Sequence, residues 1–205
     1  MASRPVPASL RLSLQLAVSA LCLLASTNAQ AQAVELAPFA GIQFGGSVRS
    51  AFGPNAPFGA DLDYGGTLDV RITPSWRVEV LYSRQQTSLR GPDGPFDTGV
   101  ERVMAGVVQE QGDGPTRFFG VALIGATRFV PGVAAYGSEA RFTIGVGLGI
   151  RHLLTRHLGV RAEARGFWVS TETGSGLFCR GECLFAFGGS GLGQADLSAG
   201  VVLAF

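Results

Sequence analysis

Across residues 34–205 apolar side chains recur on alternate positions, the period of a β-strand, and no stretch keeps the 3.6-residue spacing of a helix. Leu36, Ala40, Ile42 and Phe44 share one parity in a first segment, Leu68, Val70 and Ile72 in a second, and Val78, Val80 and Tyr82 in a third. Residues 100–109 make a fourth segment whose phase the pattern leaves open. Phe119, Val121, Leu123, Thr127 and Phe129 are expected to form the outer face of a fifth. The sixth is the clearest, with Phe142, Ile144, Val146, Leu148 and Ile150 against Thr143, Gly145, Gly147, Gly149 and Arg151. A seventh sets Val160, Ala162, Ala164 and Trp168 against Arg161, Glu163 and Arg165. The eighth, "GQADLSAGVVLAF", carries Ala195, Leu197, Ala199, Val201, Leu203 and Phe205 on one parity and Gln194, Asp196 and Ser198 on the other.

The connections alternate as well. Residues 73–76, 110–116 and 154–158 read as short turns, with the proline, glycine and aspartate chemistry expected of turns. Residues 47–62, 90–98, 131–140 and 172–190 read as longer Gly/Pro/Ser-rich loops. Short turns at one end and long loops at the other predict an all-β, antiparallel, up-and-down transmembrane barrel of about eight strands. An even count puts both termini at the short-turn, periplasmic end.

A soluble barrel would also alternate, so the chemistry of the two parities decides which one faces inward. Opposite the apolar rows lie Asp69, Arg71, Glu79, Arg128, Arg151, Arg161, Glu163, Arg165 and Asp196, interleaved with small residues. Gly145, Gly147 and Gly149 suit a narrow lumen with room for arginine heads better than a solvated surface. In lipid every backbone group must be paired, so the sheet closes, the apolar parity turns outward and the ionic parity turns in. Eight strands enclose a lumen that side chains fill. The expectation is therefore a network of charge-assisted hydrogen bonds, not an open pore.

Composition adds a leader and removes some partners. The chain has 205 residues, 46% hydrophobic and 15% charged, with 30 glycines, an excess that disfavours helices. All its cationic residues are arginines, and a net charge of +1 without a basic run gives no case for nucleic acid. Arg4 and Arg11, the apolar "LSLQLAVSALCLLAS" and the small-residue sites at Ala31 and Ala33 predict a signal peptide over residues 1–33 and a barrel domain over 34–205. A signal anchor and a lipoprotein signal at Cys22 are the alternatives; the polar residues 27–32 argue against the first and bulky Leu21 against the second. After the leader no apolar run approaches the ~20 residues of a membrane helix.

"ELAPFAGIQFGG", "GGTLDVRITPSWRVEVLYSRQ", "ATRFVPG" and "SAGVVLAF", in that order, resemble the small OmpA/OmpX-like outer-membrane β-barrel proteins of Gram-negative bacteria. The resemblance spans essentially all of residues 34–205. It implies residence in the outer membrane among its lipid and lipopolysaccharide. It also implies assembly by the barrel-assembly machinery, with Ala199, Val201, Leu203 and Phe205 as the strand signal that machinery reads. It names no activity, because small barrels of this class include adhesins, structural proteins and lipid-modifying enzymes.

Candidate chemistry is sparse. Cys179 and Cys183, an exported pair inside the longest loop, predict a disulfide. One C-x-x-x-C supplies only two of a metal's usual four ligands, with no histidine beside it. The bridge would shape a tip carrying Phe178, Leu184, Phe185 and Phe187, either as a contact surface for a partner or lipopolysaccharide, or folded back over the barrel mouth. His152 and His157 flank a short turn without a serine at useful spacing. Glu163 between Arg161 and Arg165 reads as salt-bridge packing rather than an acid/base pair. Asp61 and Asp63 are too few for calcium. Trp76, Trp168, Tyr82 and Phe129 suit aromatic girdles. The expected function is thus structural or recognitional, through the long loops, without catalytic residues or cofactor. A narrow channel, a lipid A-modifying enzyme and a soluble periplasmic binding barrel are the alternatives.

Overall fold

Paired in space, the alternating segments become twelve strands among the described residues of a computed structural model: β1 (Val34–Phe44), β2 (Ser47–Ser50), β3 (Asn55–Pro57), β4 (Asp61–Arg71), β5 (Trp76–Gly91), β6 (Gly94–Gln111), β7 (Thr116–Pro131), β8 (Glu139–Leu153), β9 (Leu158–Ser170), β10 (Gly176–Arg180), β11 (Glu182–Ala186) and β12 (Gly191–Ala204). The described residues are 34–50, 55–91, 94–133, 136–171, 176–180, 182–187 and 191–205; the expected signal peptide lies outside them. Eight strands close a barrel in the order β1-β12-β9-β8-β7-β6-β5-β4, every neighbour antiparallel. The seam extends to the chain end, where the Phe205 amide donates to the Val34 carbonyl at 2.9 Å. Closure leaves no unpaired edge, which is the condition for crossing lipid with strands.

Local chemistry explains the short turns. The Thr73 hydroxyl accepts from the Trp76 amide at 3.0 Å, and the Thr155 hydroxyl accepts from the Leu158 amide at the same distance. Such hydroxyl-to-backbone bonds substitute for ladder bonds at a reversal. Between β6 and β7 the reversal uses Gly112 and Gly114 at φ 111° and 137°, which side-chain-bearing residues rarely adopt.

Six of the eight segments present the face their pattern dictates, and β6, whose phase the pattern left open, sets Val103 and Val107 outward and Arg102, Met104 and Val108 inward. β7 is a correction. Phe119, Val121, Leu123, Thr127 and Phe129, expected outside, are buried inside, while Phe118 and Ile124 stand outside at 63% and 61% exposure. Both parities of β7 are apolar over 118–124, so alternation alone cannot orient it; its neighbour does. A Cβ added to Gly149 would lie 2.3 Å from the Phe119 ring, and one added to Gly147 would lie 2.9 Å from Val121. The β8 glycines therefore make room for bulky inward side chains, Gly147 and Gly149 for Val121 and Phe119 of β7 and Gly145 for Phe167 of β9, and only at Gly147, against the Arg165 stem at 2.9 Å, for an arginine. Gly149→Ala is expected to cost roughly 1–3 kcal/mol by overpacking, read as a lowered unfolding temperature in detergent; an unchanged midpoint would contradict this packing.

Strand length builds the far end. A strand needs about 9–11 residues to cross the bilayer, yet β5, β6 and β7 have 16, 18 and 16. Residues 90–98, expected as a long loop, are largely ladder, with β5 and β6 paired out to Gly91 opposite Gly94. The first and fourth long connections form a second sheet, β10-β11-β2-β3. Against the tall wall this sheet encloses its own apolar core, including Val48, Leu89, Val100, Phe129, Leu177, Phe178, Phe185 and Phe187. Thus an apolar cap occupies the end opposite the short turns.

Candidate functional site

Inward side chains fill the lumen in tiers. At the short-turn end Glu35 and Glu110 bridge arginines from three strands. Arg151 reaches Glu35 at 2.5 Å and Glu110 at 3.3 Å, and Arg117 reaches Glu110 at 3.2 Å. Arg77 lies 2.8 Å from Glu35 and 2.9 Å from Glu110, as ion pairs without aligned hydrogen bonds. Arg71 points to the same end, half-buried, with its Nε unbonded.

A second tier gathers five of the residues that alternation assigns to the lumen. Arg161 donates to Glu79 at 2.6 Å, to Glu163 at 3.0 Å and to Asp69 at 3.3 Å. Arg165 donates to Glu163 at 2.7 Å and to Glu79 at 3.1 Å. Their guanidinium planes also cover aromatic faces, Arg161 over Phe119 at 4.3 Å and Arg165 over Phe39 at 5.5 Å. Leu81, Met104, Val108, Val121, Leu123 and Phe167 form an apolar cluster inside the barrel with Phe119, the ring beneath Arg161. A cavity beside Arg161, Glu163 and Arg165 measures about 10 Å³, barely one water molecule.

The third tier is mostly amide. Fully buried Arg102 donates to the side-chain oxygens of Gln43 and Gln194 and stacks 4.5 Å above Phe167. Gln43 donates on to Gln85 at 2.8 Å. Asp196 accepts from Ser198 at 2.9 Å, and Asp63 is buried at the same level. Glu35, Arg77, Arg102, Glu110, Arg117, Gln43 and Gln85 are the members that sequence reading missed, whereas Gln194 lies on the inward parity expected of it. Glu35 and Glu110 border turns or chain ends, and Arg102 sits on the segment whose phase was open.

Several expected placements need correction. Arg128 is exposed on the outer wall and donates to the Ser138 hydroxyl at 2.9 Å, because β7 is turned the other way. Phe129 is no girdle residue but is fully buried in the cap. Phe178, Phe185 and Phe187 are not a displayed surface; they are 0, 0 and 2% exposed, and rings of Phe96, Phe178 and Phe185 meet at centroid distances of 5.3 to 6.5 Å. They fold over the mouth because three phenylalanines gain more inside an apolar core than in water. The side chain of Leu184 lies outside the described residues. Asp61 and Asp63 lie two residues apart on the inward face of β4, Asp63 buried and Asp61 half-buried at the strand's start.

Other candidates fall where alternation places them. Cys179 and Cys183 are directly opposite on β10 and β11 and form a disulfide. Trp76, Trp168 and Tyr82 face outward. Ala199, Val201, Leu203 and Phe205 line the outward face at the β12 end. His152 bonds the Thr116 hydroxyl at 2.7 Å and His157 the Ala204 carbonyl at 2.9 Å, both at the short-turn end.

A closed eight-stranded wall with an apolar exterior and a filled ionic interior matches one family. The model of the outer membrane protein beta-barrel domain aligns with residues 17–205. The chain belongs to that family. Neisserial surface protein A, NspA, is similar in fold, with 16% identity, a TM-score of 0.61 and coverage of 85% of this chain and 99% of that one. The outer membrane protein OprG of Pseudomonas aeruginosa gives 12% identity, a TM-score of 0.54 and coverage of 85% and 97%. At such identities the likeness is one of fold. A comparison with curated protein sequences finds no significant match. The family fixes the setting of this barrel in the bacterial outer membrane, and the outward Leu, Ile, Val and Phe rows are its lipid-facing belt.

Proposed function

We propose that this outer-membrane barrel is a closed, non-conducting structural and recognition element. Its residues 1–33 would be removed as a signal peptide. The barrel would insert with both termini in the periplasm, and the β12 row of Ala199, Val201, Leu203 and Phe205 would be read by the assembly machinery. The cap and the outer ends of β5, β6 and β7 would then face the exterior and contact whatever extracellular partner the protein has. The observation that carries this reading is the ion network that Arg161 and Arg165 make with Asp69, Glu79 and Glu163 across the bore. A solute would have to break several enclosed ion pairs at once, each costly to leave unpaired.

Planar-bilayer recording tests it. The purified protein should give no steady unitary current, and a stable conductance would establish the channel reading instead. Protease added to intact cells should cut within the long connections and leave the short turns untouched; the reverse pattern would invert the orientation.

A further inference from the structure

The lipid-facing belt ends differently on one side of the barrel. On β8 and β9 it ends in Phe142 and Trp168, followed by Ala140 and Ser170. On β5, β6 and β7 the next outward residues beyond Tyr82, Val103 and Ala126 are Arg84, Glu101 and Arg128. The register sets these three side by side, Arg84 opposite Glu101 and Glu101 opposite Arg128. Arg84 approaches Glu101 at 3.3 Å with more than a third of its side chain still exposed, and Arg128 is exposed beside it. One carboxylate therefore stands between two guanidinium groups, leaving a net positive row at the edge of the hydrocarbon. Directly above, a polar crevice of about 490 Å³ runs along the outer wall, lined among others by Arg84, Asp61, Gln86, Ser88 and Asp97.

We propose that this wall is a binding site for a phosphorylated glycolipid of the outer leaflet, lipopolysaccharide in its lipid A portion. Phosphate meets Arg84 and Arg128, whose planar forks suit phosphate oxygens. Sugar hydroxyls enter the crevice, donating to Asp97 and exchanging hydrogen bonds with Gln86 and Ser88. Acyl chains run down over Tyr82, Val103 and Ile124, which are already exposed to lipid. Only an amphiphile with an anionic, hydroxyl-rich head on apolar chains matches all three zones in that vertical order. In the cell the site rests on the proposed orientation, which puts this edge in the outer leaflet.

Binding in detergent is independent of orientation, so it separates the two. Bisphosphorylated lipid A, the same lipid dephosphorylated, and phosphatidylglycerol are titrated against the purified barrel, with retained lipid read by native mass spectrometry. Arg84→Ser with Arg128→Ser should weaken lipid A binding on the order of thirtyfold, from about fivefold per interfacial cation. Dephosphorylation should weaken wild-type binding comparably, and Asp97→Ala should weaken lipid A but not phosphatidylglycerol. Equal binding by the double variant, or equal retention of phosphatidylglycerol and lipid A by the wild type, would overturn the site. Arg128→Ser alone, at an exposed position, replaces the double variant should that one fail to fold, and should bind lipid A about fivefold less tightly; unchanged binding by it counts equally against the proposal.

Discussion

Glu79→Ala is expected to destabilise the barrel by ~3–5 kcal/mol, the usual loss when one partner of a buried ionic cluster is removed. Glu79 is fully buried and accepts from both Arg161 and Arg165. Its removal leaves Arg161 with Glu163 and Asp69 and Arg165 with Glu163 alone, two buried guanidinium groups short of a carboxylate. The unfolding midpoint in detergent should fall on the order of 10 °C, read from the heat-modifiable band. Glu79→Gln keeps one acceptor and should fall between. Glu163 contacts the same two arginines, so Glu163→Ala should also destabilise, and the double variant should lose less than the two single losses together because the partners are shared. An unshifted midpoint for Glu79→Ala, or strict additivity, would mean that the second tier does not act as a unit.

What the pattern makes legible, and what it hides, follows from how many constraints act on each residue. β8 alternates bulky apolar residues with glycine and threonine, so one face can meet lipid and the other cannot, and its orientation is unambiguous. β7 offers Phe118 and Ile124 on one face and Phe119, Val121 and Leu123 on the other; only the space above Gly147 and Gly149 chooses between them, and that space belongs to another strand. Arg128 was misplaced with its strand for the same reason. Asp69 of β4, Glu79 of β5 and Arg161, Glu163 and Arg165 of β9 were readable because each is flanked on its own strand by lipid-facing residues. Gln43 and Gln85 were not, because an uncharged amide carries no signal of its own until the register joins it to Arg102 and its partners. The same holds for the tall wall. Gln86, Thr87 and Ser88 lack a lipid-facing pattern, yet they stay in the ladder because β6 pairs with them and Leu89 and Val100 anchor the extension in the cap.

The cap and the ionic tiers are two separate obstructions, and Phe185→Ala distinguishes them. Phe185 is fully buried, packs near Phe96 and Phe178, and pairs across to Leu177 on the disulfide-closed hairpin. Truncating a buried phenylalanine costs roughly 3–5 kcal/mol, a loss that falls here on a small satellite core and not on the barrel ladder. A disulfide closing so short a ring restrains β10 against β11 but does not hold the hairpin to the wall. Limited proteolysis should therefore cut the cap of Phe185→Ala much faster than that of the wild type, while the heat-modifiable shift of the barrel persists. Conductance should remain absent, because Arg102, the Glu79 cluster and the Glu35 cluster still fill the bore beneath. A variant that conducts as soon as its cap opens would place the barrier in the cap alone, and the tiers would then be ordinary wall packing around a gated passage.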